Sequence, residues 1–583
     1  MNRHTTRVTR RAFLSRIVVT LGGVSLTACS SAAPPATGPT SPAAAAAPTQ
    51  APATKPPAAA PTSSPAAVAA ASPNPTAAPV VAASPAASAP SPAPTAATAP
   101  VAAGPGRAQG GKMIGTIISD DIKGFKTWQD STAAGEMPVW STVFDTFVEY
   151  DDNYTIVGGL LESWQTSDAT TWTFKVRQGV TWHDGKGLVA NDFVNYFKTA
   201  QDPASGTYSQ IIKPLKGATF DAPDDHTVRL TLAAPNAALL DDFSAFWLAR
   251  TADFSESQPI GTGPFQFVSW ERNRQVVLKA NMAYWKPGQP ALSDLTIRMV
   301  PDPNQAINLL KTGEVHAIAS VNLPQMDEVK ADPNLQVLSV PDQFQAAFHY
   351  LLMRCDRPPF NDTRVRQAVN WGIDRPALLS ATLGFGQARS NPVAKGSWAY
   401  DPAAPSYDAR DLARAKQLMQ DAGQSSIKAT FKYWKELSQM PLIAQIIQQN
   451  LAEIGITLDL QLLTIPQWVK EVEDDANYDM ALTELVPRWD PSDQIGNAYR
   501  TADGQALHWS NDQFDQAYAA GAATADQAQR KAAYQKCQQI ALTECPAGIL
   551  TGAPSFAAAR ATVRGIVLTN RNVLLYNRAW MSA

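Results

Sequence analysis

The chain has 583 residues, with 48 Lys and Arg against 51 Asp and Glu, and 45 prolines. Residues 1–111 hold seven Lys or Arg and no acid, so 112–583 carries 41 basic and 51 acidic groups, a net charge of −10. A body of that sign has no electrostatic footprint for nucleic acid, and about 470 residues exceed what a single core holds, which predicts at least two lobes.

In chain order, Arg3, Arg7, Arg10, Arg11 and Arg16 precede an apolar run from Ile17 to Ala28. That run is too short for a permanent membrane span and suits the core of a signal peptide. The string Thr9-Arg10-Arg11-Ala12-Phe13-Leu14 resembles a twin-arginine export signal. Leu26-Thr27-Ala28-Cys29 resembles the lipobox of bacterial lipoproteins, which implies a signal peptide over 1–29, a lipid on the Cys29 thiol and an extracytoplasmic protein anchored to the cell membrane. Residues 30–111 are mostly Ala, Pro, Ser and Thr with no acidic and no aromatic residue, a composition that cannot bury a core and predicts a disordered linker. At about 3.1 Å per residue in polyproline II, it gives a reach on the order of 100 Å.

No later run is long enough to span a membrane. Three cysteines follow Cys29: Cys355, Cys537 and Cys545. An exported context allows a disulfide between Cys537 and Cys545, with separate thiols as the alternative.

Alternating apolar and polar residues predict strands over 172–177, 227–232 and 275–279. Asn191 and Asp192 open a helix by supplying short polar side chains to its free amides. Helices are predicted over 364–373, 409–422, 440–454 and 526–543, a strand at 428–432, and a strand pair from 456–463 and 479–483.

The motifs then form an ordered series. Gly159-Leu-Leu-Glu-Ser-Trp164, the stretch from Trp172 to Gly185, and Ala190-Asn-Asp-Phe-Val194 come first. Pro259-Ile-Gly-Thr-Gly-Pro-Phe265, Asn281-Met-Ala-Tyr-Trp-Lys286, the stretch from Phe360 to Arg375, and that from Ile443 to Ile456 follow. In content, order and spacing the series resembles the extracellular solute-binding proteins of peptide-type (peptide/nickel, family 5) ABC importers, from Ile114 to the C-terminus. The resemblance implies an α/β, two-lobed periplasmic-binding-protein-like fold with a hinge and an extra subdomain in the first lobe. It places the first lobe at 112–348 plus 547–583 and the second at 349–546, with crossings near 348–352 and 544–549. Such a fold closes on ligand as a hinge.

Most signature residues read as scaffold. Gly261 and Gly263 suit backbone that a β-carbon penalises, and Pro264 fixes the next turn. Arg366 and Asp374, near the ends of one predicted helix, are expected to find ion-pair partners. His183 in His183-Asp184-Gly185 has no second histidine at ligand spacing, so neither a metal nor a catalytic triad is predicted.

The ligand-facing candidates are aromatic and charged. An indole offers a flat apolar face and one donor, so Trp398, Trp434 and Trp489 in loop-like strings either line the cleft or pack. Trp140 and Phe385 resemble positions near the family's cleft. Arg488-Trp489-Asp490 resembles the segment where peptide binders set an acid against the ligand's ammonium, but here that acid falls on Pro487. Arg488 offers paired donors to a carboxylate or phosphate instead, or meets an acidic neighbour.

The resemblance implies a substrate-binding component that delivers a peptide or peptide-like solute to ABC permease and ATPase subunits. Oligosaccharide or another small solute, or a surface sensor without transport, are the alternatives. No enzyme activity is expected, since no motif gathers nucleophile, base and oxyanion donors; no cofactor, metal or nucleic-acid partner is expected either, and the chain is expected to be a monomer.

Overall fold

The computed structural model describes residues 111–129, 135–207, 213–435, 437–501 and 506–582. The signal peptide, Cys29 and the linker up to residue 110 lie outside the described residues. Gly111, expected as the last linker residue, already opens the first strand, Gly111–Ile117. No helix among the described residues is long and apolar enough to cross a membrane.

The first lobe is built on a seven-stranded sheet in the order Leu335–Ser339, Phe556–Arg560, Ala317–Ile318, Gly111–Ile117, Leu292–Met299, Gln275–Ala280, Phe265–Glu271. Gly111–Ile117 thus sits inside the sheet, parallel to Leu292–Met299 along its whole length. A separate four-stranded sheet, in the order Leu161–Gln165, Thr171–Val176, Thr227–Thr231, Thr219–Asp224, forms the extra subdomain. The alternation of Thr171–Val176 buries Trp172, Phe174 and Val176. Helix Ala190–Gln201 covers this sheet with Phe193, Tyr196 and Phe197. Phe147 sits among five aromatic rings at 5.1 to 6.0 Å, edge-on contacts that add to plain burial. The helix is capped from inside its first turn, where the Asp192 carboxylate accepts the Val189 N–H at 3.0 Å and the Trp182 indole N–H at 3.1 Å.

The second lobe holds a five-stranded sheet in the order Ile456–Leu463, Ile427–Trp434, Met480–Leu485, Phe348–Met353, Ala547–Gly552. Ile427–Trp434 and Ile456–Leu463 run parallel, joined by helix Met440–Ala452, which buries Ile443, Ala444, Ile447 and Leu451. A parallel pair needs such a crossover. The expected pairing of 456–463 with 479–483 is therefore absent: Ile427–Trp434 lies between them and bonds to both. Alternation marks a strand but not its neighbour.

The expected lobe boundaries also shift. Ala547–Gly552, placed by the resemblance in the first lobe, pairs with Phe348–Met353 and is buried at every residue. A run buried on both faces belongs inside a sheet, so the chain leaves the second lobe only after Gly552 and enters the first-lobe sheet at Phe556. Phe348 likewise packs in the second core. The other strands and helices predicted from alternation fall within three residues of their expected bounds.

The signature strings hold the fold by hydrogen bonds and close approach. Asp145 accepts from Thr262 Oγ1 at 2.9 Å, Tyr284 Oη at 2.7 Å and Trp285 Nε1 at 2.9 Å, which ties the 259–265 string to the 281–286 string. Gly261 is required for space: a Cβ there would stand 1.8 Å from the Val143 carbonyl oxygen. Arg366 meets no ion-pair partner among the described residues but donates to the carbonyls of Glu544, Phe360 and Asn361 at 3.0, 2.9 and 3.2 Å. Asp374 caps Arg375–Leu378 through the Ala377 N–H at 3.0 Å. Cys355, Cys537 and Cys545 are all free thiols. Cys537 points at the Phe514 carbonyl (3.7 Å) and Cys545 at that of Leu542 (3.3 Å), so the alternative of separate thiols is the one observed.

Candidate functional site

The sheet of the second lobe presents one edge to the first lobe. Phe348 stands opposite both Leu485 and Gly552, so the start of Phe348–Met353 and the ends of Met480–Leu485 and Ala547–Gly552 lie together where the chain passes between lobes. Ile427–Trp434 runs parallel to Met480–Leu485, which brings the carboxyl ends of both to this edge. In open α/β sheets that edge is where ligands bind.

Two of the expected residues meet the first lobe here. Arg488 Nη1 forms an ion pair with Asp242 Oδ1 of helix Leu239–Phe243, both side chains largely buried. Its backbone N–H donates to Asp493 Oδ2 at 2.7 Å. Next to it, Tyr150 donates its hydroxyl to Asp241. Burial pushes the Asp241 carboxyl up to about 6, with Arg488 opposing the rise and Asp490 adding to it. Burial also pulls the Arg571 guanidinium down to about 10, and the charge of Arg488 adds to that. Trp489 is 4% exposed and packs against Tyr154 (ring centroids 5.1 Å apart) and Phe344 (5.7 Å). Tyr154 in turn accepts the Asn570 N–H at 3.0 Å. One loop of the second lobe is thereby seated on the first through an ion pair and an aromatic cluster.

Phe385 makes a second contact between lobes. Its ring lies 4.6 Å from Phe556 and beneath Lys330 Nζ at 3.9 Å, on a loop whose Gly384 and Gly386 have φ of 80° and 87°. Such left-handed positions favour glycine.

The remaining candidates are taken up by their own lobes. Asp490 is engaged within the second lobe: both its oxygens lie 2.8 Å from Arg530 Nη2. It also caps helix Pro491–Tyr499 through the Ser492 N–H at 2.9 Å. Trp434 is 2% exposed in the second core, its indole N–H on Thr483 Oγ1 at 3.3 Å. Trp398 lies under the Arg530 guanidinium at 5.1 Å. Trp140 is buried in the first core and donates to the Gly124 carbonyl at 2.7 Å. Each of these three rings makes its contacts within its own lobe. His183 is likewise structural: Nδ1 receives the Gly261 N–H at 3.3 Å, Nε2 bonds the Gly263 carbonyl at 3.0 Å, and burial pulls its pKa down to about 4.

Sequence reasoning passed over Tyr150, Tyr154, Glu484 and His349. The last two face each other across adjacent strands at the cleft edge. The available signal was a charged residue near the end of the buried strand Met480–Leu485, whose other residues are apolar except Thr483.

Comparison with known proteins fits this architecture. The family described as bacterial extracellular solute-binding proteins, family 5 Middle, matches residues 155–506. Di/tripeptide-binding protein 1 of Pseudomonas aeruginosa (strain UCBPP-PA14) is 26% identical over 493 residues, covering 77% of this chain and 89% of that protein. The dipeptide-binding protein of Escherichia coli (strain K12) is 25% identical over 473 residues, covering 73% and 86%. The structure of HbpA2 from Haemophilus parasuis has the same fold, with a TM-score of 0.72 at 22% identity over 81% of this chain and 100% of that one.

Proposed function

Because the chain belongs to the bacterial extracellular solute-binding proteins of family 5, we propose that the solute it captures is a peptide or peptide-like molecule. It is the substrate-binding component of an ABC transporter and not an enzyme, and it works outside the cytoplasm. The observation that best supports a solute held between lobes is the seating of Arg488 and Trp489 on Asp242 and Tyr154, at the carboxyl ends of the second-lobe strands. A ligand bridging two walls gives up water on both sides, which strengthens each polar contact. Arg488 is matched by Asp242 in the first lobe, which favours a role in joining the lobes over capture of an anionic solute.

Mass spectrometry of the small molecules that co-purify with the mature chain tests the reading. A peptide mixture is expected, and release of a sugar or another non-peptide solute overturns it. Trp489→Ala is expected to weaken solute binding by about 1 to 3 kcal/mol, as loss of a central aromatic anchor does. Titration calorimetry checks this, and an unchanged affinity removes Trp489 from the site.

The mature protein is a monomer tethered through a lipid on Cys29, spaced from the membrane by the Ala/Pro/Ser/Thr segment. Cys29→Ser should move it from the membrane pellet to the soluble fraction. Retention in the pellet overturns the anchor.

A further inference from the structure

Phe385 belongs to the second lobe and packs on the first. Strand Ala547–Gly552 ends in the second-lobe sheet and Phe556–Arg560 lies in the first, so residues 553–555 carry the chain across. The loop that holds Phe385 grips one side of this crossing. Gly552 donates its N–H to the Gln387 carbonyl at 2.8 Å, the Arg389 N–H donates to the Leu550 carbonyl at 3.2 Å, and Ala388 pairs with Thr551. Gly386 runs so close that a Cβ there would stand 2.9 Å from the Gly552 carbonyl oxygen and 3.3 Å from Pro554. The tip of the loop reaches the other side, where Phe385 packs against the apolar cluster that contains Phe556, Met326 and Val329.

The tip is held stiffly for this reach. The Phe385 N–H donates to the Thr382 carbonyl at 3.0 Å, and its own carbonyl accepts the Thr382 hydroxyl at 2.6 Å. Leu383 is 49% exposed and sits at φ 53°, a backbone conformation that costs a bulky residue energy and persists where its surroundings impose it. Three of the four residues from 383 to 386 are left-handed, and that tight turn seats one ring on the opposite lobe.

We propose that Phe385 is a positioning residue that braces the crossing and holds the lobes in their closed arrangement, raising solute affinity without touching the solute. This rests on the reading of the chain as a protein that holds its solute between the lobes. Rotation about residues 553–555 must carry Phe556 and Lys330 past a ring fixed to the other side. A contact that fits one arrangement shifts the population toward it. The solute then meets the binding-competent form more often, and its apparent affinity rises with that fraction.

Hydrogen exchange of the solute-free mature chain tests the brace at a distance. The loop 486–490 is seated on the first lobe by Arg488 and Trp489, and its amides report openings of that contact. Phe385→Ala is expected to speed exchange there by about three- to tenfold, the effect one aromatic contact has on an equilibrium. Phe385→Leu, which keeps an apolar side chain on the first lobe, is expected to restore most of the protection. Lys330→Ala, at an exposed helix position, is expected to act in the same direction and decides the matter if the Phe385→Ala chain does not fold. Exchange that quickens only within 379–389, or uniformly over the whole second lobe, overturns the brace, as does unchanged exchange at 486–490. None of these outcomes involves solute, so each leaves the capture reading standing, and that reading fails separately on the molecules that co-purify.

Discussion

Replacing Asp490 by alanine is expected to destabilise the protein by about 3 to 5 kcal/mol, the usual cost of leaving one partner of a buried ion pair alone. Arg530 is 8% exposed and lies between the rings of Trp398 and Tyr534. With Asp490 present, the nearby carboxylate keeps it firmly charged. With Asp490 removed, the guanidinium keeps its bond to the Gly521 carbonyl at 3.3 Å and its ring contacts but loses its carboxylate partner, and helix Pro491–Tyr499 loses its cap. Asp490→Asn keeps the cap and forfeits the charge, so it should fall between the native chain and the alanine variant. Urea unfolding reads the order directly. An alanine variant with the native midpoint would show that the pair contributes nothing and would return Asp490 to the ligand-facing candidates.

The second large effect is on the pH dependence of stability. The folded pKa of Glu484 is raised from 4.5 to about 8. Its contribution is therefore fully present below about pH 4.5 and is lost as the pH rises through 8, because the unfolded chain releases the proton earlier. Each unit of difference corresponds to about 1.4 kcal/mol, so the native chain should fall behind Glu484→Gln by a few kcal/mol between pH 5 and pH 8. His349, pulled down to about 4, titrates in the opposite sense and is common to both chains, so the difference isolates the carboxyl. Unfolding midpoints at the two pH values measure it, and a gap that does not change with pH sinks the prediction.

Individual strands and helices were readable from alternation and caps because each depends on residues close in sequence. Partners were not. The local pattern of Ile456–Leu463 is the same whether its neighbour is Met480–Leu485 or Ile427–Trp434, and only the crossover helix decides between them. The boundary at Gly552 failed for a related reason, since a short apolar run fits the interior of either sheet. At the site, Arg488 and Trp489 could be picked out because a charged and aromatic loop follows a strand end. Trp434, Trp398 and Trp140 looked the same in the chain, and only long-range partners such as Thr483, Arg530 and Gly124 distinguish packing from exposure. Glu484 and His349 are 135 residues apart and acquire meaning only through strand pairing.

The position of Gly111–Ile117 inside the seven-stranded sheet has a mechanical consequence. Any pull transmitted from the N-terminal side enters the folded body along this strand, lengthwise to its parallel partner Leu292–Met299, with the six residues from Lys112 to Ile117 in one register. The bonds of that ladder lie across the direction of tension and must be sheared together, whereas an edge strand pulled sideways would unzip one bond at a time. Were the chain held at the proposed lipid on Cys29, tension would enter the first lobe through an interior strand rather than through an edge.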